Sequence, residues 1–175
     1  MSDQRSWAAR VLPIILTLLV VVADRLTKMW IQRSMTMFDA TPVIPEWLRI
    51  VHSENPGAAF GVLAEGNALL RSVVLIGVSG LVLAFVASAL WSRKSSFTAT
   101  ATRAGLSLIL GGAMGNLFDR ITRGTVTDFV EVYHGSWSFP AFNVADSAIT
   151  VGALLLLLDL LRQREGEQAG VASKP

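Results

Sequence analysis

The sequence contains no cysteine, and its only histidines are His52 and His134. The first absence excludes disulfides, thiolate nucleophiles and cysteine-ligated zinc. No H-E-x-x-H pattern occurs, which argues against zinc peptidases of that type. No serine, histidine and aspartate pattern suggests a hydrolytic triad. Charge is scarce as well. Only 16% of the 175 residues are Asp, Glu, Lys or Arg, where a soluble domain carries about a quarter. The formal net charge of +2 is too small and too scattered to imply nucleic-acid binding. The basic residues instead flank apolar runs, the pattern that sets membrane topology.

What is present is hydrophobic sequence, 52% of the chain, gathered into long runs. The first run, 11–23, continues through Asp24, Leu26 and Lys28 to Trp30. A helix over that stretch is about 30 Å long and can cross a bilayer. The other runs are 69–91, 104–117 and 147–161. They predict an α-helical integral membrane protein with four transmembrane helices, spanning about 10–30, 69–91, 102–118 and 146–162, as one domain over 1–164. A signal-peptide reading of the first run has a basic start in Arg5 and Arg10. No small-x-small cleavage site follows, because the run ends in Ala23-Asp24-Arg25. Four spans put both termini on one side. Arg5, Arg10, Arg93, Lys94, Arg103, Arg162 and Arg164 mark that side as cytoplasmic. The segments 32–68 and 119–145 then face outward, with Arg33, Arg49, Arg120 and Arg123 offset by acidic residues. The Ser/Thr-rich stretch 95–102 reads as a short loop, and the polar tail 165–175 as disordered.

The outward segments carry strand signals. Val126, Asp128, Val130 and Val132 alternate with Thr127, Phe129, Glu131 and Tyr133. His134-Gly135-Ser136 then turns the chain into Trp137-Ser138-Phe139, which predicts a β-hairpin. Leu48, Ile50 and Val51 before Asn55-Pro56-Gly57 suggest a second short strand and turn. Trp47 and Trp137 suit a β element resting at the membrane interface. No inverted internal repeat of the transporter kind is visible.

Ionisable residues in or beside apolar spans are costly and need a reason. The candidates are Asp24, Lys28, Arg71, Asp119, Arg120, Asp128, Asp146 and Asp159. Asp24 and Lys28, four apart, share a helix face and can pair near the outer end of the first span, neutralising each other and snorkelling. Gly111 and Gly115 form a GxxxG that permits close helix approach. Asn116 and Arg120 project together, either at a capped helix end with an Asp119–Arg pair or to hold a catalytic carboxylate or a substrate carbonyl. His134 and His52 read as solvated loop residues, and Asp159 as interfacial.

Asp128 sits in an apolar strand, where aspartate is depleted. Asp146 opens the fourth span, where it or Asn143 can cap the helix. The two can also meet at the membrane surface. Carboxylates that share a site cannot both ionise easily, so one stays protonated. That pairing supplies a general base for water and a general acid for the developing intermediate.

Five segments resemble one family in order. They are Asp24-Arg25-Leu26-Thr27-Lys28, Asn55-Pro56-Gly57-Ala58-Ala59-Phe60-Gly61, the run Gly111-Gly112-Ala113-Met114-Gly115-Asn116-Leu117-Phe118-Asp119-Arg120, Gly124-Thr125-Val126-Thr127-Asp128-Phe129, and Phe142-Asn143-Val144-Ala145-Asp146. Together they resemble the lipoprotein signal peptidases, or signal peptidase II. The resemblance implies a small extracytoplasmic β-cradle beside four transmembrane helices in the bacterial cytoplasmic (inner) membrane. It implies an aspartic-type endopeptidase, with diacylglyceryl-prolipoproteins as substrates and membrane lipids as surroundings, cut just before the lipid-modified cysteine. It also implies no metal or organic cofactor. Carried over by motif, Asp128 and Asp146 are the catalytic pair. Asp24, Lys28, Asn55, Gly57, Gly112, Asn116, Arg120 and Asn143 shape the site or hold substrate. Two other classes stay open on the residues alone: a small transporter using Asp24, Lys28 and Arg71, and a membrane scaffold in which Asp146 is only a helix cap.

Overall fold

The computed structural model describes residues 2–57, 67–91 and 100–172. The elements run α1 (Ser2–Ser34), β1 (Ala40–Ile44), β2 (Leu48–Asn55), α2 (Ala68–Trp91), α3 (Thr100–Arg123), β3 (Val126–His134), β4 (Trp137–Ser138) and α4 (Val144–Ala172). The 58–61 part of the second motif and the 92–99 connection lie outside the described residues.

Among the described residues, two helical stretches are long and apolar enough to cross a membrane, Leu69–Trp91 and Val144–Arg164. α1 and α3 have the length but carry interior charge: Asp24, Arg25 and Lys28 on one, Asp119 and Arg120 on the other. Large apolar side chains lie on the outside, Leu18, Leu19, Leu81, Phe85, Leu154 and Leu157 among them. Polar groups lie inside, including Asp24, Lys28, Asn116, Asp119 and Asn143. That inversion suits a hydrocarbon solvent and not water.

α3 is the centre of the bundle because its small residues let two helices come close. A Cβ at Gly111 would sit 2.8 Å from the Val20 Cβ and 2.9 Å from the Thr17 carbonyl oxygen of α1. A Cβ at Gly115 would sit 2.5 Å from Oδ2 of Asp24. On the other side Gly112 faces the Ala145 carbonyl, and a Cβ at Gly105 would be 2.8 Å from the Gly152 carbonyl oxygen. The GxxxG therefore serves packing against α1. α2 docks on α3 by an apolar patch of Val86, Ala89 and Leu90 against Leu106 and Leu110.

The strands form one antiparallel array in the order β1-β2-β3-β4. The hairpin over β3 and β4 forms as expected, with Gly135 at positive φ in its turn. β1 was not anticipated. It contains Pro42, ends just before Pro45, and is exposed throughout, as an edge strand can be. In β2, Ile50 pairs with Val130 but Ser53 pairs with Asp128, so one extra residue bulges out between them.

Four expectations need correction. The 95–102 loop is shorter, because α3 already starts at Thr100 and the Thr102 hydroxyl bonds the Asp159 carboxylate of α4. α3 also runs on to Arg123, past the predicted end of its span. It stops at Gly124 (φ 78), whose N–H returns to the Arg120 carbonyl at 3.0 Å, a left-handed helix terminus. The tail is not unstructured from 165. α4 continues to Ala172, since Gln163, Arg164, Glu165, Glu167 and Gln168 favour helix and no proline intervenes before Pro175. His52 is not a solvated loop residue but a buried member of β2.

Gly112→Ala is expected to lower thermal stability in detergent by about 1–3 kcal/mol, since the added methyl meets the Ala145 backbone, which cannot yield, as well as the Ile149 side chain. Gly77→Ala, with nothing within 4 Å, should leave the melting temperature unchanged or raise it.

Candidate active site

The site grows from one buried cation. Lys28 on α1 is fully buried, as are Asp24 and Asp119. Its Nζ lies 2.8 Å from Asp24, 2.9 Å from Asp119 and 3.0 Å from Oδ1 of Asn116. Asp119 also pairs with Arg25, whose guanidinium lies 4.4 Å from the centre of the Phe118 ring. Two acids thus meet two bases, and the cluster is neutral. The helical spacing correctly joins Asp24 to Lys28. The expectation that the pair snorkels is wrong, because Asp119 and Asn116 of α3 complete the shell around the ammonium inside the bundle.

Asp24 reaches further. Its Oδ1 accepts the Ala145 N–H at 3.0 Å, one of the free donors in the first turn of α4. Asn143 and Asp146 close the same turn reciprocally. Oδ1 of Asn143 accepts the Asp146 N–H at 2.9 Å, and Oδ2 of Asp146 accepts the Asn143 N–H at 3.2 Å. This is a capping box written with Asn and Asp. The capping reading of Asp146 is therefore correct, and it leaves Oδ1 for another partner, the Asn116 side-chain amide at 2.8 Å.

Asp128 arrives from the sheet. The amide nitrogen of Asn143 donates to its Oδ1 at 2.7 Å, and that of Asn55 to its Oδ2 at 3.1 Å. Asn143 thus touches both Asp128 and Asp146. The β2 bulge matters here. In an unbulged register Asn55 would face the opposite side of the sheet from Asp128; the extra residue turns it toward the carboxylate. Oδ1 of Asn55 in turn accepts the Gly57 N–H at 2.9 Å, and Nη2 of Arg120 lies 3.3 Å from the Gly57 carbonyl oxygen. Arg120 is also within electrostatic reach of Asp146, Asp128 and Asp119.

Burial, and then the neighbouring Asp146 carboxylate, push the Asp128 carboxyl up to about 7, against the opposing pull of the Asn55 and Asn143 donors. Two neighbouring acids, one buried and the other half-buried, can accept a proton at one carboxylate and deliver one from the other. The motif residues Asp24, Lys28, Asn55, Gly57, Gly112, Asn116, Arg120 and Asn143 are all joined to the two aspartates by the contacts given, Gly112 through its approach to Ala145. Asp119, Arg25 and Thr127 belong to the same network and were not singled out for the site. Asp119 read as a helix-end charge because its partners lie on another helix.

Lys28→Met should cost about 3–5 kcal/mol in detergent unfolding, because it strands two carboxylates in the bundle. Asp146→Asn should lower the Asp128 carboxyl below its value of about 7 by removing the adjacent negative charge. Infrared titration of the protonated carboxyl band, with Asp128→Asn to assign it, measures that shift.

The chain has known counterparts. Residues 16–162 match the family model described as signal peptidase (SPase) II. The chain is 44% identical to a lipoprotein signal peptidase of Solibacter usitatus (strain Ellin6076), over 83% of this chain and 88% of that protein. It is 39% identical to a lipoprotein signal peptidase of Pseudomonas aeruginosa (strain UCBPP-PA14), over 88% of this chain and 90% of the other. A solved structure described as a bacterial membrane enzyme, determined in meso at 2.3 Å resolution, superposes with a TM-score of 0.77 at 30% identity, covering 88% of this chain and 90% of that one. A second bacterial membrane enzyme, at 1.9 Å resolution, superposes with a TM-score of 0.73 at 32% identity, covering 85% and 92%. Matched along most of its length in both sequence and fold, the chain belongs to the signal peptidase II family.

Proposed function

We propose that this protein is an aspartyl endopeptidase of the bacterial cytoplasmic membrane that removes the signal peptide from diacylglyceryl-modified prolipoproteins, cutting just before the lipid-modified cysteine. One observation carries the reading: Asp128 and Asp146 share the buried Asn143, and burial with like charge favours a proton on Asp128.

Asp146, held by donors from Asn116 and the Asn143 backbone and within reach of Arg120, is placed to act as the general base. It takes a proton from water as the water oxygen attacks the scissile carbonyl carbon. Protonated Asp128 donates to the carbonyl oxygen, where negative charge develops. Collapse of the tetrahedral intermediate breaks the C–N bond: the proton held by Asp146 passes to the leaving amine, and a hydroxyl of the intermediate returns its proton to Asp128 as the new carboxyl group forms. Asn55, Asn143 and Asn116 aim the carboxylates, Lys28 and Asp24 fix the helices that bear them, and Gly57 with Arg120 borders the approach. Gly112 admits the start of α4 against α3.

The four helices act as four spans, with both termini cytoplasmic and the sheet outside. The substrate fits that geometry. Acyl chains on its cysteine stay in the bilayer and hold the scissile bond at the interface, the level of the dyad at the outer ends of α3 and α4. The apolar helix faces receive the signal segment and lipid.

Purified protein should cleave a diacylglyceryl precursor and leave its unlipidated form intact. Asp128→Asn and Asp146→Asn should each remain folded in membranes yet lose cleavage, and full activity in either variant would end the assignment. The wild-type rate should fall as pH rises through about 7, where Asp128 gives up the proton it donates.

A further inference from the structure

Behind the catalytic face of the sheet lies a second polar cluster that the reaction above does not use. Glu54 pairs with Thr127 across β2 and β3, on the face opposite Asp128. Its carboxylate accepts the Thr125 hydroxyl at 2.6 Å and the Thr127 hydroxyl at 2.8 Å. The Thr127 hydroxyl accepts the side-chain amide of Gln32, at the end of α1, at 2.5 Å. His52 completes the group. Its Nδ1 lies 3.0 Å from the Met35 carbonyl oxygen and its Nε2 lies 3.3 Å from Oε1 of Glu54.

The ring thus has one polar partner at each nitrogen, one on the connection after α1 and one on its own strand. The acids facing it are Glu54 from its own strand and Asp39 from the α1–β1 connection, which lies within its electrostatic reach. The backbone of His52 holds the same connection, accepting from Phe38 N–H at 3.0 Å and donating to the Asp39 carbonyl at 3.1 Å. One histidine thus ties the end of a membrane helix to the sheet.

We propose that His52 and Glu54 are positioning residues for Asp128, acting through Thr127. The proposal rests on the aspartate reading above. Thr127 is fully buried. Its hydroxyl is fixed from behind by Glu54 and Gln32, while its carbonyl accepts the Asn143 amide at 3.3 Å from the front. The next residue is Asp128, whose carboxylate takes the same Asn143 amide. The β2 bulge that turns Asn55 toward Asp128 lies at His52, so the clasp also holds the register on which that contact depends.

The test uses the full-length protein with the lipidated precursor. Glu54→Gln and His52→Gln are expected to reduce kcat roughly tenfold, with KM within about twofold of wild type. The alkaline limb of the pH profile should move to lower pH, because a loosened Asp128 regains solvent. Thr127→Ser, which keeps the hydroxyl, should retain most of kcat, and Thr127→Val should not. Thr102→Val, which removes a hydroxyl–carboxylate bond at the far end of α3, is the control for stability loss alone. If Glu54→Gln does not fold, His52→Gln and the Thr127 pair carry the comparison. Unchanged kcat with an unmoved limb in the folded variants, or changes no larger than in Thr102→Val, would overturn the proposal. A wild-type protein that fails to cleave would instead overturn the aspartate reading.

Discussion

An ammonium group inside a helix bundle must be neutralised where it sits, and in this protein that need organises nearly everything else. Lys28 cannot be solvated, so carboxylates must come to it from its own helix and from α3. Those carboxylates set the rotation and depth of α1 against α3. Asp24 then has an oxygen left over, and it caps α4. Three helices are thereby indexed to one charge. Gly111, Gly115 and Gly112 make this possible, because the polar shell closes only if the backbones approach closely.

The asparagines carry that order outward to the aspartates. Each uses both ends of its amide. Asn116 accepts from Lys28 and donates to Asp146; Asn55 accepts from the Gly57 backbone and donates to Asp128; Asn143 accepts from the Asp146 backbone and donates to Asp128. An aspartate in any of the three positions would turn a donor into a like charge facing the pair. A leucine would leave the carboxylate unpaired. The amides therefore hold two acids close together without neutralising them, which an arginine or lysine at the same distance would do.

Much of this was legible from residue order, and what escaped did so for identifiable reasons. The apolar runs marked the helices, and alternation from Val126 to Tyr133 marked β3 and its hairpin. The i, i+4 relation joined Asp24 to Lys28. It could not reveal their burial, because the deciding partner, Asp119, comes from a distant helix. Asp146 offered two readings, cap and site member, and its two oxygens fill both. β1 was hidden by prolines and by a complete lack of buried positions. His52 looked like a loop residue because the bulge interrupts the alternation of β2. Its partners Met35 and Glu54 are recognisable only once α1 and the sheet are brought together.

The bulge in β2 has a consequence for how such a chain can diverge. Substitutions along the strand exchange one side chain for another and leave the rest aimed as before. Deleting the extra residue would shift the parity of everything downstream in the strand, sending Asn55 to the wrong side while Asp128 stayed put. Within this stretch the spacing is under tighter constraint than most of the letters, much as a reading frame survives point changes but not a single lost base.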